Sequence, residues 1–207
     1  YHDGIDGWRD AGQAISVEAV KHPPVALKLQ VNPGIAATTQ EVRAALGRSD
    51  VQLLDARTTK EFLGEDIRAI RGGHIPGAVN IPYEQNWADP ETIQKLSRKQ
   101  VPNNQGMSLK TEDQLRALYA KLDPSKETIV YCQSGARASE TAAVLQDLGF
   151  KRVRVYDSSW LGYGNTLDAP ANNVTFFNVG QMNAKMAVMA SRIEALEKQL
   201  AEAKAGK

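Results

Sequence analysis

An α/β domain with a mainly parallel central sheet, followed by a C-terminal amphipathic helix, is the fold class that this chain predicts. Three observations predict it. Short apolar runs (Val51 to Asp55, Ala78 to Ile81, Thr128 to Tyr131, Val153 to Tyr156) alternate with segments that open on helix-capping residues. The single cysteine follows one of those runs, in the loop Cys132-Gln133-Ser134-Gly135-Ala136-Arg137. In parallel sheets ligands bind outside the carboxyl ends of the strands, where that loop falls. Beyond Pro170, apolar residues return at alternating three- and four-residue steps, the period of an amphipathic helix.

In chain order, Thr38 with Glu41 forms a capping box that opens a helix to about Leu46. Val51 to Asp55 is a strand, and Thr58 with Glu61 opens a brief second helix. Arg68 to Pro82 is a glycine- and proline-rich loop carrying the small strand Ala78 to Ile81. Asp89-Pro90 starts a helix, since proline suits a first turn, and Val101 to Lys110 reads as an exposed polar excursion. Thr111 with Gln114 caps a helix to about Leu122, with Leu115, Leu118 and Leu122 on one face. The strand Thr128 to Tyr131, the cysteine loop, a helix from Ala138 to Leu148 and the strand Val153 to Tyr156 complete the domain.

The cysteine loop carries the chemistry. A thiol at a strand tip, with a glycine-containing turn and a helix N-terminus behind it, faces backbone N–H groups and the positive end of a helix dipole. That field favours the thiolate. Cys132 is therefore the candidate nucleophile, and Gln133, Ser134, Gly135, Ala136 and Arg137 are candidate substrate-binding residues. Arg137 is expected to add the loop's one side-chain cation, and Ser134 either a hydroxyl donor or a residue that suits the turn. No packing requirement for Gly135 or Arg137 is visible in the sequence. The bland alternative is a small buried cysteine without reactivity.

These residues resemble the rhodanese (thiosulfate sulfurtransferase) family. Leu53-Leu54-Asp55-Ala56-Arg57 followed by Glu61-Phe62, then Gly73-His74-Ile75-Pro76-Gly77-Ala78-Val79-Asn80-Ile81-Pro82, then the cysteine loop, stand in that family's order over roughly residues 38 to 170. The resemblance implies a three-layer rhodanese-like fold and attack of Cys132 on the outer sulfur of thiosulfate or a similar small anionic donor. A Cys132 persulfide then passes its sulfur to cyanide or a thiol. It also implies a structural ion pair between Asp55 and Arg57. His74 reads as a loop-bracing hydrogen bonder, Arg71 as a solvent-exposed residue or a second pocket cation, and Trp160 as a pocket wall or core residue. One alternative is a persulfide carrier that presents sulfur to a protein partner. A weaker one is a cysteine phosphatase or arsenate reductase, whose loops hold one residue more between cysteine and arginine than the Gln133 to Ala136 spacing.

The resemblance also frames the ends of the chain. Residues 1–16, with Tyr1-His2-Asp3-Gly4 and Gly7-Trp8, weakly echo Tyr156-Asp157-Ser158-Ser159-Trp160. They read as the tail of a removed upstream rhodanese-like domain, or alternatively as a native N-terminal decoration. Residues 17–37 then form a linker stiffened by His22-Pro23-Pro24 and turned at Asn32-Pro33-Gly34, residues 38–172 the catalytic domain, and residues 173–207 the helical tail. In that tail Val179, Met182, Met186, Met189, Ile193, Leu196 and Leu200 occupy a and d positions of a heptad pattern, with Arg192 at g and Glu197 at the following e. A coiled coil joining copies of the chain is one reading; a helix folded back on its own or the upstream domain is the other.

Composition sets limits. With 42% hydrophobic residues, 24% charged residues and a net charge of +1, the chain is ordinary globular material with no global field for nucleic acid or a membrane surface. No run is long and apolar enough to span a bilayer. One cysteine and the widely spaced His2, His22 and His74 offer no ligand set, so neither a metal nor another cofactor is expected. Related-looking bacterial proteins with a helical tail are often exported, which favours the cell envelope over the cytoplasm.

Overall fold

The computed structural model describes residues 4–26, 28, 30, 32 and 34–205. The Tyr1-His2-Asp3 stretch and Pro33 of the expected linker turn lie outside them. The chain divides into two compact units, parted between Thr175 and Phe176.

The first unit is built on a four-stranded parallel sheet. Its strands β1 (Val51–Asp55), β2 (Arg71–His74), β3 (Val79–Asn80), β4 (Glu127–Tyr131), β5 (Val153–Val155) and β6 (Asn172–Phe176) sort into a central sheet of order β3-β1-β4-β5 and a separate β2-β6 pair. In the central sheet Leu54 faces Val79, Asp55 faces Tyr131 and Val130 faces Val155, all in parallel register. Parallel neighbours need crossover connections, and α3 (Thr59–Phe62), α4 (Thr92–Ser97), α5 (Glu112–Leu118) and α6 (Ala136–Asp147) lie in them, while α1 (Gly4–Asp10) and α2 (Thr39–Ala45) precede β1 and α7 (Ser159–Gly164) follows β5. The capping boxes at Thr38, Thr58 and Thr111 are all formed.

Alternation along the strands divides the core in two. Leu53, Ile129 and Tyr131 join Val42, Ile75, Tyr156 and Trp160 on one face of the sheet. Leu54, Val130 and Cys132 join Leu115, Tyr119, Ala142, Leu145 and Phe150 on the other. Burial on both faces makes three layers and requires apolar residues at successive strand positions. Cys132 thus leaves β4 toward the face covered by α5 and α6.

Several boundaries differ from the sequence reading. The helix after the loop starts at Ala136, so Arg137 lies in its first turn. The helix expected at Asp89-Pro90 begins at Thr92 instead, because the Asp89 carboxylate and carbonyl accept from Glu91 N and Thr92 Oγ1 and form a turn first. The stretch 101–110 is mostly half-buried rather than an exposed excursion; Leu109 bridges to Trp87 and Lys110 donates to the Gln85 and Trp87 carbonyls. Strands β2 and β6 and helices α1 and α7 were not foreseen. Strand β6 lies on glycine: a Cβ at Gly72 would sit 2.5 Å from Thr175 Oγ1, and one at Gly73 2.3 Å from the Asn172 carbonyl. The second unit contains α8 (Val179–Ala205), whose a and d residues are solvent-exposed.

Beneath the C-terminal end of β1 lies a buried ion pair. Arg57 Nη2 is 2.7 Å from Asp55 Oδ2, and both side chains are at most 1% exposed. The guanidinium also donates to the Gly73 carbonyl at 2.7 Å and packs over the Trp160 ring at 4.6 Å. Burial alone disfavours the Arg57 cation, but the Asp55 charge and hydrogen bonds outweigh it. Removing one partner strands the other charge in the core. We therefore expect Arg57→Met to destabilise the domain by about 3–5 kcal/mol, measured by urea unfolding.

Candidate active site

The loop from Cys132 to Gly135 joins β4 to α6 and is clamped from one side by α7. Trp160 N donates to the Cys132 carbonyl at 3.0 Å and Leu161 N to the Gln133 carbonyl at 2.9 Å. In a planar trans peptide the N–H points opposite to the C=O. The N–H groups of Gln133 and Ser134 are therefore turned away from α7, toward the side of the sheet on which Cys132 is packed. Among the described residues, no protein acceptor takes the N–H groups of Gln133, Ser134, Ala136, Arg137 or Ala138. The last three belong to the first turn of α6, where unpaired donors are intrinsic to a helix. The loop is thus a run of open donors with a helix dipole behind it.

Gly135 and Ser159 hold that shape. Gly135 has φ +90°, and a Cβ there would come within 2.4 Å of Asp157 Oδ1. Backbone conformation and close approach both require glycine, a packing demand that the sequence did not reveal. The Gly135 amide, expected among the anion donors, instead gives its hydrogen to Ser159 Oγ at 3.1 Å, and the Cys132 amide does the same at 3.0 Å. The hydroxyl donates to the Tyr156 carbonyl at 2.7 Å and lies 4.0 Å from Cys132 Sγ. Ser159 is fully buried and has φ +49°, an uncommon conformation for a residue with a side chain. Its role was missed in the sequence, where only the neighbouring Trp160 was singled out.

The electrostatics differ from the expectation at Arg137. Its guanidinium is not free to serve an anion alone: it forms two parallel 2.8 Å hydrogen bonds with the Glu61 carboxylate. Tyr83 lies under the same group at 5.5 Å. Glu61 is 1% exposed and also receives Thr58 N, Thr58 Oγ1 and, at 3.3 Å, Arg68 Nη1. Burial opposes ionisation of Glu61, but the Arg137 hydrogen bonds and charge, with the Thr58 donors, outweigh it and bring its pKa to about 2. For Arg137, burial disfavours the cation, whereas Glu61 and, after it, the charge of Cys132 favour it. Arg68, half exposed, adds a second cation beside the loop, since its carbonyl accepts from Gln133 Nε2 at 2.6 Å. Arg137 is therefore not the only cation here.

Cys132 is 1% exposed and Gln133 is buried, while Ser134 and Ala136 are exposed at the rim. His74 braces the loop before β3: its Nδ1 is 2.9 Å from the Phe62 carbonyl, its ring stacks on Phe62 at 3.6 Å, and burial pushes its pKa down. Arg71 is neither solvent-exposed nor a pocket cation. It is buried and donates to the carbonyls of Gly164, Thr166 and Ala169, because these end α7 and the following turn beside β2. Trp160 is fully buried and donates to the Arg71 carbonyl, a core residue rather than a wall at the mouth. Among the described residues no group of His, Cys, Asp and Glu could hold a metal ion.

Two outcomes follow from this geometry. Ser159→Ala leaves the Cys132 and Gly135 amides without their acceptor; the expected cost is about 1–3 kcal/mol for each orphaned group, read from thermal unfolding. Because the Glu61 pKa is depressed from 4.5 to about 2, the stability it contributes is present above about pH 4.5 and is lost as pH falls toward 2. Glu61→Gln is expected to lower stability at neutral pH by roughly 3 kcal/mol and to flatten that acid limb, as measured by urea unfolding across the pH range.

Comparison with known proteins matches residues 38–166 to the rhodanese-like domain. The thiosulfate sulfurtransferase of Corynebacterium glutamicum is 35% identical over 181 residues, covering 81% of this chain and 54% of that protein. The thiosulfate sulfurtransferase of Azotobacter vinelandii is 31% identical over 169 residues, covering 81% and 56%. The chain thus spans about half the length of the curated relatives it matches. Among solved structures, the anaerobic ergothioneine biosynthesis enzyme of Chlorobium limicola with trimethyl histidine aligns with a TM-score of 0.65 and 26% identity, over 82% of this chain and 40% of that one. A structure of EanB bearing a cysteine persulfide with ergothioneine aligns with a TM-score of 0.67 and 25% identity over the same shares. The sheet order, the two-sided core and the loop at the tip of β4 agree with this match: the chain belongs to the rhodanese-like domain family.

Proposed function

We propose that this domain is a sulfurtransferase that carries sulfane sulfur on Cys132, with thiosulfate or a similar small anion as donor and cyanide or a thiol as acceptor. In the first step the Cys132 thiolate attacks the outer sulfur of thiosulfate. The S–S bond of the donor breaks, its electron pair leaves with sulfite, and a persulfide remains on the enzyme. In the second step the acceptor attacks the terminal sulfur of that persulfide, and the thiolate is restored. Sulfite and the thiolate leave as stable anions, so no general acid is needed, and catalysis rests on holding anions together.

The observation that carries this reading is the set of open N–H donors of Gln133, Ser134, Ala136, Arg137 and Ala138 in the turn that follows Cys132. Donors fixed by the α7 clamp do not reorganise as charge arrives, which is what makes them effective. Gln133, Ser134, Ala136 and Arg137 serve the anion through these amides. Gly135 serves it indirectly, by shaping the turn and binding Ser159. The positive field comes from amides and the α6 dipole together with the Arg137–Glu61–Arg68 cluster, which sums to one net positive charge if all three are ionised. The names of the curated relatives support thiosulfate as donor, and the persulfide-bearing neighbour supports the intermediate.

Burial of the thiol to 1% exposure weighs against the carrier alternative, because a protein partner cannot reach Cys132 without opening the site, whereas a small anion asks for less. The shorter spacing to Arg137, with the Gly135 amide already committed, leaves fewer donors for a tetrahedral phosphoryl group. The test is cyanide-dependent thiocyanate formation from thiosulfate. Wild type is expected to turn over, and Cys132→Ala to fall by at least about a thousandfold. Mass spectrometry after thiosulfate alone is expected to find one added sulfur on Cys132 in the wild type. An unmodified, inactive wild type would end the proposal.

A further inference from the structure

α8 carries none of the residues of the proposed site. Its seven large apolar a and d residues (Val179, Met182, Met186, Met189, Ile193, Leu196, Leu200) are between 38% and 63% exposed. A helix of 27 residues rises about 40 Å, and in proteins most of a helix's stability comes from packing its apolar stripe against a partner rather than from propensity. We infer that the partner is a second copy of this chain, and that the two α8 helices form a parallel, in-register, two-stranded coiled coil.

Charge and side-chain shape select this arrangement. In a parallel pair the g residue of one helix meets the following e residue of the other, which sets Arg192 against Glu197 of the second copy on both flanks of the seam. An antiparallel pair centred on the helix, between Val179 and Ala205, brings position 192 against its own copy and places arginine beside arginine. The other g-to-e pairs, Lys185 with Ala190 and Gln199 with Lys204, carry no charge conflict of opposite outcome. β-branched Val179 and Ile193 at a positions, with Leu196 at d, favour two strands over three. The methionines between them fill the seam without fixing a competing geometry. Since the first unit precedes α8 in each chain, parallel pairing attaches both catalytic units to the same end of the rod.

Sedimentation equilibrium on the full chain is expected to give twice the chain mass, and Ile193→Asp to give the single-chain mass with an unchanged circular-dichroism signature for the first unit. Arg192→Glu is expected to weaken the dimer by about three- to tenfold, and Arg192→Glu combined with Glu197→Arg to restore it. Direction is read with Ala203→Cys, a d position, in a Cys132→Ser background. With diamide as oxidant, two thiols become one disulfide and diamide takes up the two hydrogens. A parallel pair joins into a covalent dimer because position 203 meets itself, while an antiparallel pair does not. A monomeric wild type overturns the inference, as does a trimer, or a dimer that fails to cross-link at position 203.

Discussion

The Glu61 carboxylate is the point on which the Cys132 loop depends. It is buried at the end of α3, caps that helix through Thr58, and receives the Arg137 guanidinium through two parallel hydrogen bonds. A charge without water must be met by charge and donors, and here both come from segments that otherwise have no reason to meet. The pair ties α3, which follows β1, to the first turn of α6, which follows β4. Those strands are neighbours in the sheet, and the loop between β4 and α6 is the one that holds Cys132. Arg137 is therefore first an anchor of the loop and only secondarily a source of positive potential.

On the opposite side, α7 completes the constraint. Its first amides take the loop's carbonyls, and the Ser159 hydroxyl takes the amides of Cys132 and Gly135. With these groups committed, the peptide planes between them have little freedom, and the remaining N–H groups are aimed rather than free to rotate. Strain at Ser159 and the positive φ of Gly135 are the conformational costs of this arrangement, and both occur within the loop's own support. The anion binding proposed for this site gains from such rigidity, since reorientation of donors would consume the interaction they provide.

The fold was legible because its signals are local. Three capping boxes announced α2, α3 and α5, and short apolar runs announced the central strands. The elements that escaped notice have no local signal: β2 is Arg-Gly-Gly-His, and β6 is an exposed Asn-rich strand seated on glycines. Arg71 departs from its sequence expectation for a related reason. A lone arginine in a glycine-rich stretch reads as solvated, and its burial becomes tolerable only once the carbonyls of Gly164, Thr166 and Ala169 converge on it.

By itself the sequence determined the class of fold, the place of the candidate nucleophile Cys132 after a strand, the presence of a turn and helix behind it, and the heptad stripe of α8. Each of these is a property of neighbouring residues: strand period, caps, one cysteine, and apolar spacing. Only the tertiary structure decided which amides remain open, that Arg137 is shared with Glu61, and that Ser159 secures the loop. Those outcomes join residues 24 to 76 positions apart, and hydrogen bonding across such gaps is set by how strands and helices pack rather than by any local pattern.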